Sequence, residues 1–485
     1  DRHPEAVPLP PELRGRIRAL VCIRHQGRLW CATRGLGILR RREEPAFRGT
    51  SIPDAREVVS LAVAPDGSVW CGTENGLAHV RGRIVERVTH IDGEPLGLVT
   101  ACAVDRSGRL WVGSGSAWTG VYRRDPEGWK RFGREQGFVD AFVHRISTDS
   151  TGRLWFSTLN TADQPQEEGQ GAWFFAGGVF QRSPANPDLP SGRVYDVIVR
   201  DPAGVLWFAT LRGLAAYRRG VVTEYGTEQG LLGEKIWCLH AAREGGVWIG
   251  YQHGEHGVSL LRGERVRHFN VEDGLCDGDV WSIAEGEPGV FWFATGNGLG
   301  RYDGLRWSSF RAHEGIGAHH VWPLLPAGDG RLWMGTVDRT VGGRLVELVI
   351  RDRERPQTRL DPPGRPPESG RPFTLSWRGT DAWFDTPSAD LWYRTKVDGG
   401  AWSAASPRRR LSLRLDAGRH RVSVQAIDRF GNAETPPAVI DVPVERAAAA
   451  PGAILVAVGA GLGLLAALLL LRRRAAPGVR RPDAA

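Results

Sequence analysis

The stretch GVFWFATGNGLGRYDG, residues 289–304, sets a Trp and two Phe in one short apolar run, breaks on Gly-Asn-Gly, and resumes as a second short run ending at Gly304. Two short apolar runs joined by a glycine turn read as a β-hairpin. The pattern returns along the chain as GRLWCATRGLGILR, GSVWCGTENGLAHV, GRLWVGSGSAWTGVYR, GRLWFSTLN, GVLWFATLRGLAAYR, GGVWIGYQHGEHGVSLL and GRLWMGTVDRTVGGRL. Its anchors are Trp30, Trp70, Trp111, Trp155, Trp207, Trp248, Trp292 and Trp333, spaced by 40, 41, 44, 52, 41, 44 and 41 residues. A period near 42 with only β-type patterning is the signature of a propeller with about four strands per blade.

Each repeat divides alike. An apolar strand such as VWSIAEG (280–286) leads through a turn to the Trp strand, then a Gly-rich turn, a third strand and a variable fourth. The Trp supplies one large apolar plate per blade for packing between sheets. The fold expected is therefore all-β: an eight-bladed propeller over residues 14–350, after an N-terminal segment of residues 1–13. The N-terminal residues or the segment 351–360 would complete the last sheet, and a seven-bladed ring is the alternative.

Composition agrees. The 485 residues include 63 Gly, 31 Pro and 19 Trp, with 24% charged side chains, which suits a turn-rich globular chain of two or three domains. The net charge is +8, but the last fourteen residues, RRRAAPGVRRPDAA, carry five Arg against one Asp and so hold half of it. The remainder is mixed in sign, which argues against a nucleic-acid face.

Ahead of that tail, GAILVAVGAGLGLLAALLLL (452–471) runs for twenty residues without a polar side chain. Such a helix would be about 30 Å long, the thickness of a hydrocarbon core. With Arg472, Arg473 and Arg474 following, the positive-inside rule puts residues 472–485 in the cytoplasm and the bulk outside. A single-pass anchor in the cell membrane is expected, with an export signal cleaved or omitted from this sequence.

The repeat D-x-x-G-x-L-W-x-G-T-x-x-G-L-x-R-Y resembles the two-component regulator propeller repeat, over about residues 14–350. The resemblance implies an extracytoplasmic sensor region of a bacterial membrane regulator, of the kind that detects oligosaccharides. After an Arg/Pro-rich linker (351–371) comes a further β module, 372–446, whose alternation suggests an Ig-like β-sandwich. It looks like the Tyr-rich module that in this family joins propeller to membrane helix, with Tyr393, Trp402 and the turn at 417–420 in matching places. Family members usually carry a histidine kinase, cyclase-type or DNA-binding domain after the helix. Here fourteen residues follow, too few to fold, so the output would pass through a histidine kinase or regulator partner, or the gene is split.

The candidate site lies at the channel mouth. The second residue of each innermost strand reads, in repeat order, Arg18, Val59, Thr100, His144, Tyr195, Trp237, Trp281 and Trp322. Five consecutive repeats thus present rings at one height, with Asp140, Glu234, Asp279, His319 and His320 in the incoming loops. Ring faces stack on the C–H face of a pyranose and carboxylates hold its hydroxyls. The ligand-binding set expected is His144, Tyr195, Trp237, Trp281, Trp322, Glu234, Asp279 and His320, for a small molecule or oligosaccharide; the competing reading is that the rings simply pack the channel.

Other patterns weigh less. The insertion 161–192 in the fourth repeat carries Trp173, Phe174 and Phe175, which read as that repeat's displaced third strand. His253, Glu255 and His256 read as a polar turn, and no metal or cofactor is expected. Six cysteines allow fifteen pairings, with Cys22 and Cys31 facing one another if the intervening turn is a hairpin. Quinoprotein dehydrogenase propellers use adjacent cysteines, and none are adjacent here. Streptogramin lyase propellers share the Gly-x-x-Trp-Phe repeat and use a metal with a His base, for which His144, His240, His319 and His320 are available. No P-loop, HExxH or serine elbow occurs. The expectation is a sensor or binding protein, not an enzyme, with a protein-binding scaffold and then a lyase as alternatives.

Overall fold

The computed structural model describes residues 18–25, 28–34, 37–40, 47–139, 141–149, 151–159, 170–199, 204–251, 257–314, 316–327, 331–338, 342–349, 355–381, 386 and 388–446. The apolar segment 452–471, Asp140, and the His253, Glu255, His256 turn lie outside these residues. No helix among the described residues is long and apolar enough to cross a membrane. The chain divides into two compact units, the first of Asp1–Glu354 with Arg429–Gly431 and the second of Arg355–Asp428 with Asn432–Ala485.

The first unit contains seven four-stranded antiparallel sheets. Six are built from consecutive strands, as in Val280–Glu285, Phe291–Thr295, Gly298–Tyr302 and Trp307–Phe310. The innermost strands adjoin one another in order, and His320–Pro326 of the last sheet returns to Val58–Val63 of the first, so the ring closes. The Trp333 sheet takes its fourth strand from far upstream: Phe47–Ser51 pairs antiparallel with Arg344–Val349. Closure therefore joins the two ends of the ring region by a ladder of main-chain bonds.

The expectation of eight blades is corrected here. The first repeat, with Trp30, forms a separate three-stranded sheet, Arg18–His25, Arg28–Arg34 and Gly37–Arg40, and its downstream strand closes the ring of seven. Arg18 accordingly has no place in the channel layer. Cys22 does stand opposite Cys31 in that sheet's register. Trp173, Phe174 and Phe175 form the third strand of their blade, Ala172–Ala176.

The repeat motif has a physical reading at each place. The turn Asp grips its own Trp: the Trp111 indole N–H donates to Asp105 (3.0 Å) and that of Trp155 to Asp149 (3.2 Å). The other oxygen of Asp105 accepts the backbone N–H groups of Ser107 and Arg109, which fixes the turn. Where T-x-x-G occurs, the Thr hydroxyl donates to the Gly carbonyl, at 2.8 Å in Thr73–Gly76, Thr210–Gly213 and Thr295–Gly298. Gly298 is held at φ 115°, and a Cβ there would lie 2.3 Å from the Phe310 carbonyl oxygen, so no other residue fits. The tryptophans are core: Trp111, Trp248 and Trp292 are fully buried between sheets.

The second unit consists of two three-stranded sheets. One orders Gln357–Asp361, Phe373–Thr380 and Arg410–Leu413; the other Trp392–Val397, Gly418–Ile427 and Ala438–Val444. They share one core around Leu375, Trp377, Tyr393, Val422, Val424 and Val442. The segment expected as a linker, 351–371, thus contains a strand of this unit, Gln357–Asp361.

Candidate functional site

The candidate site begins with a defect repeated around the ring. In the innermost strands the register slips by one residue, and the residue skipped is the one singled out from the sequence: Val59, His144, Tyr195, Trp237 and Trp281. In the last blade the slip takes in Trp322 and Pro323. A bulge leaves its extra residue unpaired and re-aims its side chain. The residue just before it is Val or Ile in each of these blades (Val58, Val143, Val194, Ile236, Val280, Val321), buried in the sheet packing. The bulge therefore splits the strand into a residue that packs between blades and one that turns toward the axis.

The turned side chains meet. His144 lies 5.1 Å from Trp237 and 5.5 Å from Tyr195, both edge to face. Tyr195 lies 5.6 Å from Trp237, Trp237 5.5 Å from Trp281 and 6.1 Å from Trp322, and Trp281 6.2 Å from Trp322. Two of these contacts skip a blade, as side chains converging on an axis must. His144 and Tyr195 are buried, whereas Trp237, Trp281 and Trp322 are half-buried and keep part of their surface open. The buried indole N–H groups of Trp237 and Trp322 have no acceptor among the described residues. Across the ring the layer is completed by Val59, buried, and Thr100, whose hydroxyl donates to the Val143 carbonyl (3.1 Å).

Polar contacts underneath hold the rings in place. His144 Nδ1–H donates to the Tyr195 carbonyl (2.8 Å), as does the Ser157 hydroxyl (3.2 Å). Arg145 pairs with Asp196 (3.2 Å), which also accepts the Leu239 backbone N–H (3.1 Å). Three successive blades are tied directly below His144, Tyr195 and Trp237. Of the loop residues, Glu234 and His320 are exposed and Asp279 is half-buried. The loops themselves are braced by the preceding blade, since Gly213 N–H donates to the Glu234 carbonyl (2.9 Å) and Gly298 N–H to that of His319 (2.7 Å). No cluster of three or more metal-ligating side chains occurs among the described residues.

Burial pushes the His144 imidazole down to about 4, reinforced by neighbouring Arg145 and only partly offset by the bond to Tyr195. Because its folded value lies below the unfolded one near 6.5, the unfolded chain binds the extra proton first. His144 therefore costs no stability above about pH 6.5, and stability is lost as pH falls from there toward 4. His79 is shifted in the same direction by burial, so the wild-type curve alone does not isolate His144. Subtracting the stability–pH curve of His144→Gln should leave a slope of up to about 1.4 kcal/mol per pH unit in that interval. Parallel curves would show that His144 titrates normally.

One residue missing from the sequence reading is Arg193, two places before Tyr195. Its guanidinium carbon lies 5.9 Å from the Tyr195 ring centre, and its Nε–H is buried without an acceptor among the described residues. The signal was available in the strand alternation, which puts the residue two places before each ring residue at the next level of the channel.

The comparisons with known proteins bear on the fold and the repeat. Residues 188–212 match the family model of the two component regulator propeller. No curated protein matches the chain by sequence. Among solved structures, the extracellular domain of the hybrid two component system BT3049 from B. thetaiotaomicron superposes with a TM-score of 0.55 at 15% identity, covering 88% of this chain and 61% of that one. The extracellular domain of the hybrid two component system BT4673 from the same organism gives 0.50 at 14% identity, covering 88% and 63%. The chain thus spans about three fifths of the length of these structures, and at such identities the likeness is one of fold. The stretch 188–212, which runs through the Trp207 hairpin, is thus a two component regulator propeller repeat.

Proposed function

We propose that this protein is an extracytoplasmic sensor or binding propeller that holds a sugar at the mouth of its channel and does not turn it over. The observation carrying this reading is the half-open arc of Trp237, Trp281 and Trp322, whose rings converge on the channel axis without being buried. An arc that only packed the channel would cover its faces, as Trp248 and Trp292 are covered between the sheets. A pyranose offers both an apolar C–H face for the rings and hydroxyl oxygens for the indoles, while Glu234 and Asp279 accept from its hydroxyls. That the similar structures are extracellular domains of hybrid two component systems supports placing this propeller outside the cell. The six-stranded unit serves as an Ig-like module leading to the apolar segment 452–471, which anchors the chain, and a histidine kinase or regulator receives the signal.

Trp281→Ala tests the site. In calorimetry with a bound oligosaccharide, losing this stacking face should cost about ten- to a hundredfold in affinity, roughly 1 to 3 kcal/mol. The melting temperature should stay near that of the parent. Unchanged affinity with a lowered melt would assign Trp281 to packing and remove the site.

A further inference from the structure

The level above the aromatic layer is unevenly charged. Two places before the five ring residues stand Phe142, Arg193, Lys235, Asp279 and His320, so neighbouring blades carry two cations in succession. Lys235 is exposed, but Arg193 is half-buried against Tyr195, with its Nε–H enclosed and without an acceptor among the described residues. Four other sheltered arginines of the propeller meet carboxylates: Arg145 with Asp196 (3.2 Å), Arg123 with Asp125 (2.6 Å), and Arg301 and Arg306 with Asp303 (3.1 Å each). Arg344, like Arg193, has an Nε–H without an acceptor among the described residues. An enclosed guanidinium donor left unanswered costs free energy that a carboxylate would recover.

We propose that Arg193 receives a carboxylate of the ligand, so that the sugar taken at the channel mouth is a uronic acid. This rests on the channel mouth being the sugar site. The planar guanidinium fork matches a carboxylate with two parallel hydrogen bonds, which an ammonium cannot reproduce. Lys235 in the adjoining blade adds positive potential on the same side. The ring face of the uronate lies on the Trp237–Trp281–Trp322 arc, and Asp279, two blades from Arg193, accepts from hydroxyls at the opposite end of the sugar. The substrate class is acidic glycan, with the charge read by one blade and the ring faces by the next three.

The test uses trigalacturonate, its fully methyl-esterified form, which keeps the rings and loses the charge, and maltotriose. Calorimetry is run on the full chain, Arg193→Gln, Arg193→Lys and Trp281→Ala, each first checked for an unchanged melt. Trigalacturonate should bind, with its ester at least about tenfold weaker. Arg193→Gln should weaken trigalacturonate by about ten- to a hundredfold and leave the ester unaffected, Arg193→Lys should fall between, and Trp281→Ala should weaken both. Equal binding of acid and ester, no binding of the acid, or indifference to Arg193→Gln overturns the carboxylate assignment. Maltotriose binding at least as tightly as trigalacturonate, lost in Trp281→Ala but not in Arg193→Gln, would overturn it while keeping the sugar site. Binding that ignores Trp281→Ala removes the site and the proposal with it.

Discussion

A chain shortened to begin at Glu43 should melt within a few degrees of the full chain, whereas one begun at Ile52 should lose its cooperative transition. The difference is the strand Phe47–Ser51, the fourth of the Trp333 sheet. It pairs along five residues of Arg344–Val349, and Phe47 sits in the core of the last two blades, edge to face with Phe310 at 5.8 Å. Losing a buried Phe costs about 3 to 5 kcal/mol, and each main-chain bond left open adds about 1 kcal/mol. Together these approach the whole stability of an ordinary domain. The shorter deletion removes only the separate Trp30 sheet. Were the ring eight-bladed, that deletion would open it and both chains would fail alike, so thermal melts of the pair decide the blade number.

Trp111→Ala should lower stability by about 3 to 5 kcal/mol. The indole is fully buried and touches Phe132, Phe156, Phe175 and Phe180, the last three from the neighbouring blade. Alanine would leave a cavity that two facing sheets cannot close without tilting. Asp105→Ala removes the carboxylate that accepts from the Trp111 indole and from two turn amides, and should cost about 2 kcal/mol with the indole still packed. Denaturant melts of the single and double variants measure this. The double variant should lose less than the two singles together, because the indole–carboxylate bond is shared. Additive losses would mean that the bond contributes nothing.

What the sequence made legible follows from what is local. The Trp hairpins, the glycine turns and the ring-bearing second position of the innermost strand are patterns within one repeat, and each stands where its spacing implies. The blade number is not local. The first repeat carries the same G-R-L-W signature as the others, yet it lies outside the ring because Phe47–Ser51 pairs with a strand nearly three hundred residues downstream. The strand Gln357–Asp361 was hidden by its setting between Arg and Pro runs, since its pairing partner Phe373–Thr380 supplies what its own composition lacks. At the candidate site, the heights of His144, Tyr195 and the three Trp could be read from spacing, but the bulge that turns them to the axis could not. Arg193 escaped notice because an arginine two places before a strand's ring residue looks like any solvated loop cation until Tyr195 is seen beneath it.

Whether a sugar is held at the channel mouth is decided by a crystal structure of the protein grown with trigalacturonate. The expected density is one pyranose lying on Trp281 and Trp322, with its carboxylate against Arg193. A sugar bound on any other face of the propeller, with the indole arc closed on itself, would contradict it.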